Sequence, residues 1–305
     1  VLGRLAADQF LGGQMTLDRT KSEAALTRLA GKAGLATHSS LSLAQTAALG
    51  IIEVVNAHME RALRVISIQR GHDPREFILV SFGGAGALHA SDLARSLNIP
   101  RVLVPPSAAT LSAFGMLAAD VIKDYVRTIM RPGETAYEEL ELLISPLAEQ
   151  GQTEVIEEGV AAGAVTLERL LDVRYRGQSY ELSVPLTPDF ASAFHHIHAH
   201  VYGYSEPGVP IEVVNLRLRA IGHLPRPPLI RLETESESSP KPFDQRPVVL
   251  ANGLAAVPFY QGSQLRPGHV VTGPAIITQS DTTVYLAADD KLEVDRYRNF
   301  VIEVG

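Results

Sequence analysis

Three glycines within four positions, Gly83, Gly84 and Gly86 with Ala85 between them, interrupt the stretch Val80-Ser-Phe-Gly-Gly-Ala-Gly-Ala-Leu-His89. Before them lies an apolar run and after them a helical pattern. A turn of this kind lets backbone approach a ligand closely, and the free N–H groups of a following helix suit a phosphate or a polar sugar. The same glycines would equally serve a plain tight strand-to-helix turn. Two nucleotide motifs are excluded by neighbouring residues. In a dinucleotide fingerprint Gly84 and Gly86 would be the first two glycines, but His89 stands where the third belongs. The next strand then ends in Val104-Pro105-Pro106, with no acidic residue for a ribose. A P-loop needs Gly-Lys-Ser/Thr after its glycines, and none follows.

Other residues invite chemistry less strongly. His195, His196, His198 and His200 fall three and four apart, so 195/198 or 196/200 could share a helical face and ligate a metal. No carboxylate follows Phe190 within that helix and the chain has no cysteine, so a packing or solvated role is the expectation and no metal is assigned. Asp120 and Asp124 follow a helical pattern and read as helix-end or surface groups. Asp281-Thr282-Thr283 reads as a turn entering a strand. Ser112 lacks the G-x-S-x-G elbow of a hydrolase nucleophile. Arg174 and Arg176 flank a hairpin beside Gln178, placed either to bind a carboxylate or to pair with an acidic helix.

The elements that would position these groups are legible from hydrophobic period. From Ser42 to Arg70, Ile51, Val55, Met59, Ala62, Leu63 and Ile66 lie on one helical face, and Gly71 and Pro74 stop the helix. Phe77 to Phe82 is apolar without alternation, as in a central strand buried on both faces of a parallel sheet. The glycines then lead into a helix carrying Leu88, Leu93, Ala94 and Leu97, followed by the strand Arg101 to Val104 and a helix from Leu111 to Val121. Tyr125 to Met130 reads as a strand, Thr135 to Ala162 as an acidic helix, and Leu167 to Tyr175 with Tyr180 to Leu186 as a hairpin. A helix from Phe190 to Tyr202 and a strand from Ile211 to Ile221 complete a β-α-β-β-α-β order of ferredoxin-like type. Short alternating runs after Val248 favour a small all-β unit. The expected division is therefore an α/β subdomain over 1–122, an α+β domain over 123–224, a Pro-rich linker over 225–247 and a β domain over 248–305.

Composition bounds the function. The chain has 305 residues, enough for two or three domains at roughly 100–200 residues each. Its 27 basic and 34 acidic residues give a net charge of −7, which argues against general nucleic-acid binding. With 46% hydrophobic and 20% charged residues, wholesale disorder is excluded. The absence of cysteine removes disulfides, thiolate metal sites and cysteine nucleophiles, and makes the cytoplasm the default expectation. No apolar run approaches the roughly 18–20 residues of a membrane helix. The chain opens on Val1 and goes at once into Leu2, Leu5 and Phe10, so it reads as a piece of a longer polypeptide.

Taken together, several stretches resemble the hydantoinase A/5-oxoprolinase family. They are Arg70-Gly-His-Asp-Pro-Arg-Glu-Phe77, Phe82-Gly-Gly-Ala-Gly-Ala-Leu-His-Ala90, Val104-Pro-Pro, and Leu111-Ser-Ala-Phe-Gly-Met-Leu-Ala-Ala-Asp120. The likeness continues through Arg174-Tyr-Arg-Gly-Gln178, Phe194-His-His-Ile-His198, Glu212-Val-Val-Asn-Leu-Arg217 and Gly273-Pro-Ala-Ile-Ile277. Ala87 departs from the proline usual in the glycine loop, and Ala108-Ala109 from the usual Pro-Gly. The resemblance implies the second half of an actin, sugar-kinase and heat-shock type of ATPase fold. It also implies an activity, the ATP-dependent opening of cyclic amides, with ATP and Mg²⁺ as cofactors and a hydantoinase B-type subunit as partner. Related ketone-carboxylase subunits, or a non-catalytic module docking a partner subunit, are the alternatives. Within that family Gly83, Gly84, Ala85 and Gly86 match the loop that holds the adenosine. No Asp-Gly-Gly-Thr phosphate loop occurs in this chain, so the catalytic residues are expected upstream of Val1 and the chain alone is expected to be inactive.

Overall fold

Helix formation in the first seventy residues follows from local caps. A computed structural model describes residues 1–36, 41–234, 239–250 and 253–305. Helix α1 (Arg19–Lys32) begins after Asp18, whose carboxylate accepts from the Lys21 N–H at 3.1 Å. Helix α2 (Leu43–Ile66) carries a reciprocal cap: Ser42 Oγ accepts from Gln45 N, and Gln45 Oε1 accepts from Ser42 N. It ends one turn before the expected Arg70, in a short 3-10 turn closed by Gly71 at φ +80°. Strand β1 (Ile78–Val80), helix α3 (Ala90–Ser96), strand β2 (Arg101–Val104) and helix α4 (Leu111–Ala118) follow. Next come β3 (Val121–Pro132), α5 (Tyr137–Glu157), β4 (Val165–Tyr175), β5 (Leu182–Pro185), α6 (Phe190–Tyr202) and β6 (Ile211–Gly222). The remainder is strands apart from one 3-10 turn (Gly262–Gln264): β7 (Asp244–Leu250), β8 (Gly253–Gln261), β9 (Val270–Thr272), β10 (Ala275–Thr278), β11 (Thr283–Leu286), β12 (Lys291–Val294) and β13 (Phe300–Glu303). Among the described residues no helix is long and apolar enough to cross a membrane.

Two compact units result, one of Val1–Phe114 with Pro228–Gly305 and one of Gly115–Pro227. This corrects the expected separate β domain at 248–305, because its strands do not close on themselves. β13 pairs antiparallel with β2, Ile302 opposite Val102, and the five-stranded sheet runs β1-β2-β13-β12-β9. The other strands form a second sheet, β11-β10-β8-β7. The two sheets share one core, in which Val102, Val104, Phe300 and Ile302 pack with Ala275, Ile277, Val284 and Leu286. Charge reinforces the junction: buried Asp290 accepts from Arg95 Nη2 of α3 at 2.7 Å and from the Ala287 N–H at 2.9 Å. Residues 235–238 of the expected linker and residue 251 of an expected strand lie outside the described residues.

The expected central strand is corrected too. β1 pairs only with β2, in parallel, and so lies at the edge of its sheet. Phe77, Ile78, Val80 and Phe82 are each 45–53% exposed. An apolar run without alternation fits an edge whose faces are merely apolar as well as it fits a doubly buried strand.

In the second unit the β-α-β-β-α-β element order is present, but the strand order is β3-β6-β4-β5, all antiparallel. The second and fourth strands of the unit are central, whereas a ferredoxin-like sheet puts its first and third there. Helices α5 and α6 cover one sheet face through Leu140, Ile144, Phe190 and Phe194. Helix α5 lies so close that a Cβ at Gly151 would stand 3.0–3.1 Å from Leu218, Ala220 and Tyr125. The other face holds a buried carboxylate, Asp172, which accepts from Arg217, Asn215 and Ser183. Burial alone would raise its pKa, but these hydrogen bonds outweigh burial and hold it below the usual carboxylate range.

Two outcomes follow from this packing. Ile302→Ala should cost about 2–5 kcal/mol in chemical denaturation, as for a fully buried residue of a shared core. A loss below about 0.5 kcal/mol, the size of a surface change, would contradict that placement. Because the folded pKa of Asp172 is depressed, its stabilisation is present above about pH 4 and is lost as pH falls through the folded value. Asp172→Asn should therefore lower stability at pH 7 by about 1–3 kcal/mol and flatten the acid limb of the stability curve. An unchanged acid limb would show that another carboxylate governs it.

Candidate functional site

The glycine loop is shaped by backbone bonds at both ends. The Ser81 N–H donates to Leu103 O at 2.8 Å, extending the β1–β2 pairing, and the Gly83 N–H donates to Ala108 O at 2.7 Å. Gly83 has φ +87°, a conformation that favours glycine. At Gly86 a Cβ would stand 3.1 Å from the buried Ser81 Oγ. Gly84 differs, since its φ is not in the left-handed region and a Cβ would meet only Asp281 O, at 3.5 Å. Neither backbone nor packing inside the chain demands glycine there: a Cβ would make one ordinary contact, with the Asp281 carbonyl, and the residue itself is exposed. Among the described residues the N–H groups of Gly84 and Ala85 have no acceptor.

The expected helix start directly after the glycines is displaced. Gly86–Leu88 forms a 3-10 turn and α3 begins only at Ala90. The donors on offer therefore belong to the loop itself. His89, where a third glycine would stand in a dinucleotide fold, turns away: its Nδ1 lies 2.7 Å from Asn56 Oδ1 of α2. Burial, then the charge of Arg4, lowers the His89 pKa, which favours the neutral ring.

Facing the glycine loop is a segment about 200 residues away in sequence, the turn between β10 and β11. Thr282 Oγ1 donates to Gly84 O at 3.1 Å, and the Gln279 N–H donates to Thr282 O at 2.9 Å. Between turn and loop lies a cavity of about 360 Å³ lined by Gln9, Phe10, Gly84, Ala85, Gln279 and Asp281, among others. A neighbouring cavity of about 380 Å³, with Ser107, Ser263 and Arg298 on its walls, also includes Gln279 and Asp281. The size and the mixed lining are those of a small-molecule site. Asp281-Thr282-Thr283 is a turn entering a strand, as expected, but its position against the glycines had no local signal. Only the pairing of distant strands creates it.

The remaining candidates either pair within the protein or face solvent. His195 and His198 point inward, His195 Nδ1 lying 2.9 Å from the Tyr175 hydroxyl and His198 Nδ1 2.7 Å from Tyr204 O, while His196 is exposed. The helix thus divides the four histidines between packing and solvent. Arg174 pairs with Glu212 on β6 at 2.7 Å, so its partner is a neighbouring strand and not the acidic helix. Asp120 meets His223 at 3.0 Å and the Leu224 N–H, and Asp124 meets Arg219 at 2.8 Å. Ser112 is exposed on α4.

Sequence families place this geometry. The hydantoinase/oxoprolinase family matches residues 1–125, and the hydantoinase/oxoprolinase C-terminal domain matches residues 131–304. Caprolactamase subunit alpha of Pseudomonas jessenii is 31% identical over all of this chain and 45% of its own length. A nucleotide-free structure of acetone carboxylase, from work on ATP-dependent acetone carboxylation, matches 99% of this chain and 45% of its own with TM-score 0.87 and 28% identity. The crystal structure of ATP-dependent caprolactamase from Pseudomonas jessenii matches 100% of this chain and 45% of its own with TM-score 0.68 and 30% identity. The chain thus spans somewhat less than half the length of these relatives. Matched along nearly its whole length, from the glycine loop to the last strand, it belongs to the hydantoinase/oxoprolinase family.

Proposed function

We propose that this chain supplies the adenosine side of the nucleotide site in an ATP-dependent enzyme that opens cyclic amides. The observation that carries the reading is Gly84: an exposed glycine that neither backbone strain nor a clash inside the chain requires, with a free N–H beside that of Ala85, on the wall of a nucleoside-sized cavity. Gly83, Gly84, Ala85 and Gly86 would cradle the ribose and the adjoining phosphate through backbone. The ATP-dependent caprolactamase and acetone carboxylase relatives support this choice of ligand. ATP, when bound, would supply a phosphoryl group to an amide oxygen, activating the carbonyl for water.

The chain's own part is binding and orientation. Among the described residues no three His, Asp or Glu side chains gather to hold a metal ion, so no step is assigned to Mg²⁺ here. Phosphate loops would come from sequence outside this chain, in keeping with its 45% share of the relatives. A separate hydantoinase B-type subunit is proposed as partner, in line with the subunit designation of the caprolactamase relative. A carboxylase role is the second reading, favoured by the TM-score of 0.87 to acetone carboxylase. Both readings activate an oxygen by phosphorylation, an amide in one case and an enolate in the other.

Gly84→Val puts a β-branched side chain on the cavity wall where backbone would meet the ligand and should abolish ATP-dependent turnover by the complete polypeptide, assayed as phosphate release with caprolactam or 5-oxoproline as the probe. Thermal unfolding should change little, since no protein atom lies closer than 3.5 Å to the first added carbon. Undiminished turnover would mean that the nucleotide lies elsewhere. The isolated chain should bind ATP feebly and hydrolyse none, because phosphoryl transfer depends on positioned phosphates. Robust hydrolysis by this chain alone would overturn the division of labour.

A further inference from the structure

Strand β1 leaves one edge of the five-stranded sheet open, and that edge is apolar. The Ser81 N–H is spent on Leu103 O at 2.8 Å, so in the parallel pairing with β2 the Leu79 and Ser81 amides face inward. The N–H groups of Ile78, Val80 and Phe82 therefore point away from the sheet, and their side chains are 45–53% exposed. Between the strand and α2 runs a groove of about 380 Å³ lined by Met59, Ile66, Leu79, Val80, Phe82 and Leu93, among others, with no charged side chain on its wall. Other sheet edges in the molecule are protected. β3 carries Lys123, Arg127, Arg131, a register shift after Thr128 and Pro132, and β7 carries Asp244, Arg246 and Pro247. β1 has no charge, proline or register shift. A bare apolar edge beside an apolar groove is a template for another strand.

We infer that the β1 edge and its groove are the docking surface for a strand from the part of the complete polypeptide outside this chain, which makes β1 an interior strand. The backbone groups of Ile78, Val80 and Phe82 form the ladder, and Met59 and Ile66 of α2 cover apolar side chains of the added strand. The occupant is uncharged along this face, because the groove offers no counter-charge. Two arguments favour the same polypeptide over a separate one. The chain matches 45% of its caprolactamase and acetone carboxylase relatives, so more than half of a polypeptide of that length is left to supply a strand. A tethered strand also meets the edge at a high effective concentration, which a free chain does not. Since β1 runs directly into the glycine loop, the docked strand holds the entrance of that loop from its second side. None of this depends on which ligand the loop binds.

Residue-resolved hydrogen exchange on the complete polypeptide reads the edge directly. The Ile78, Val80 and Phe82 amides should exchange at least about 100-fold more slowly than in an unstructured chain, as the inward Leu79 and Ser81 amides do. Free exchange at those three beside slow exchange at Leu79 and Ser81 would overturn the inference, and this comparison needs no variant to fold. Photo-cross-linking then identifies the occupant, with p-benzoylphenylalanine in place of Phe82 in the complete polypeptide and the products read by peptide mass spectrometry. Position 82 should join to a segment of the same polypeptide outside this chain, in a species with the mass of one chain. Attachment to a second copy or to a different subunit would overturn the choice of occupant.

Discussion

The pairing of β13 with β2 is the constraint on which the first unit depends. It sets Phe300 opposite Val104 and Ile302 opposite Val102, joining residues about 200 apart in sequence. Loop-closure entropy opposes such a contact, and the cost grows slowly with length, so the offset must come from the core that the pairing completes. That core is apolar and fully shared between the two sheets. Asp290 adds a buried charge contact between α3 and the approach to β12. Once the last sixty residues are fixed against the first hundred, the β10–β11 turn has no choice but to face the glycine loop.

That arrangement explains how a loop with little structure of its own is held in the form the proposed site needs. Thr282 holds the Gly84 carbonyl, Ala108 holds the Gly83 N–H, and the N–H groups of Gly84 and Ala85 are left over. Rigid flanks with unmet backbone donors are what a preorganised binding site requires. The second unit contributes nothing comparable among its described residues. Its charged groups, Asp172 with Arg217, Asp124 with Arg219 and Arg174 with Glu212, pair with one another across strands.

Much of this was legible in the chain itself where the signal is local. Periodicity located α2 and α6, alternation located β6, and the glycine cluster marked the loop, because each depends on residues a few positions apart. Long-range facts were not legible. The apolar run at Phe77–Phe82 looks the same at an edge as at a centre, since nothing in it states how many strands flank it. Helix α1 carries a weakly amphipathic, mostly polar sequence, and β9 and β12 are only three and four residues long, too short for alternation to register. The four strands of the second unit were placed in element order, yet which of them lie at the centre depends on pairing between segments tens of residues apart. The β10–β11 turn on the cavity wall was not legible for the same reason: its neighbours in sequence mark only a turn, and its place beside Gly84 depends on the pairing of distant strands.

The central claim is that a nucleoside occupies the cavity between the glycine loop and the β10–β11 turn. A crystal structure of the complete polypeptide with a non-hydrolysable ATP analogue tests it most directly. The account predicts density for the base and ribose in that cavity, with the Gly84 and Ala85 N–H groups on the ligand. A nucleotide bound wholly outside the cavity, with the Gly84 and Ala85 N–H groups still unmet, would contradict it.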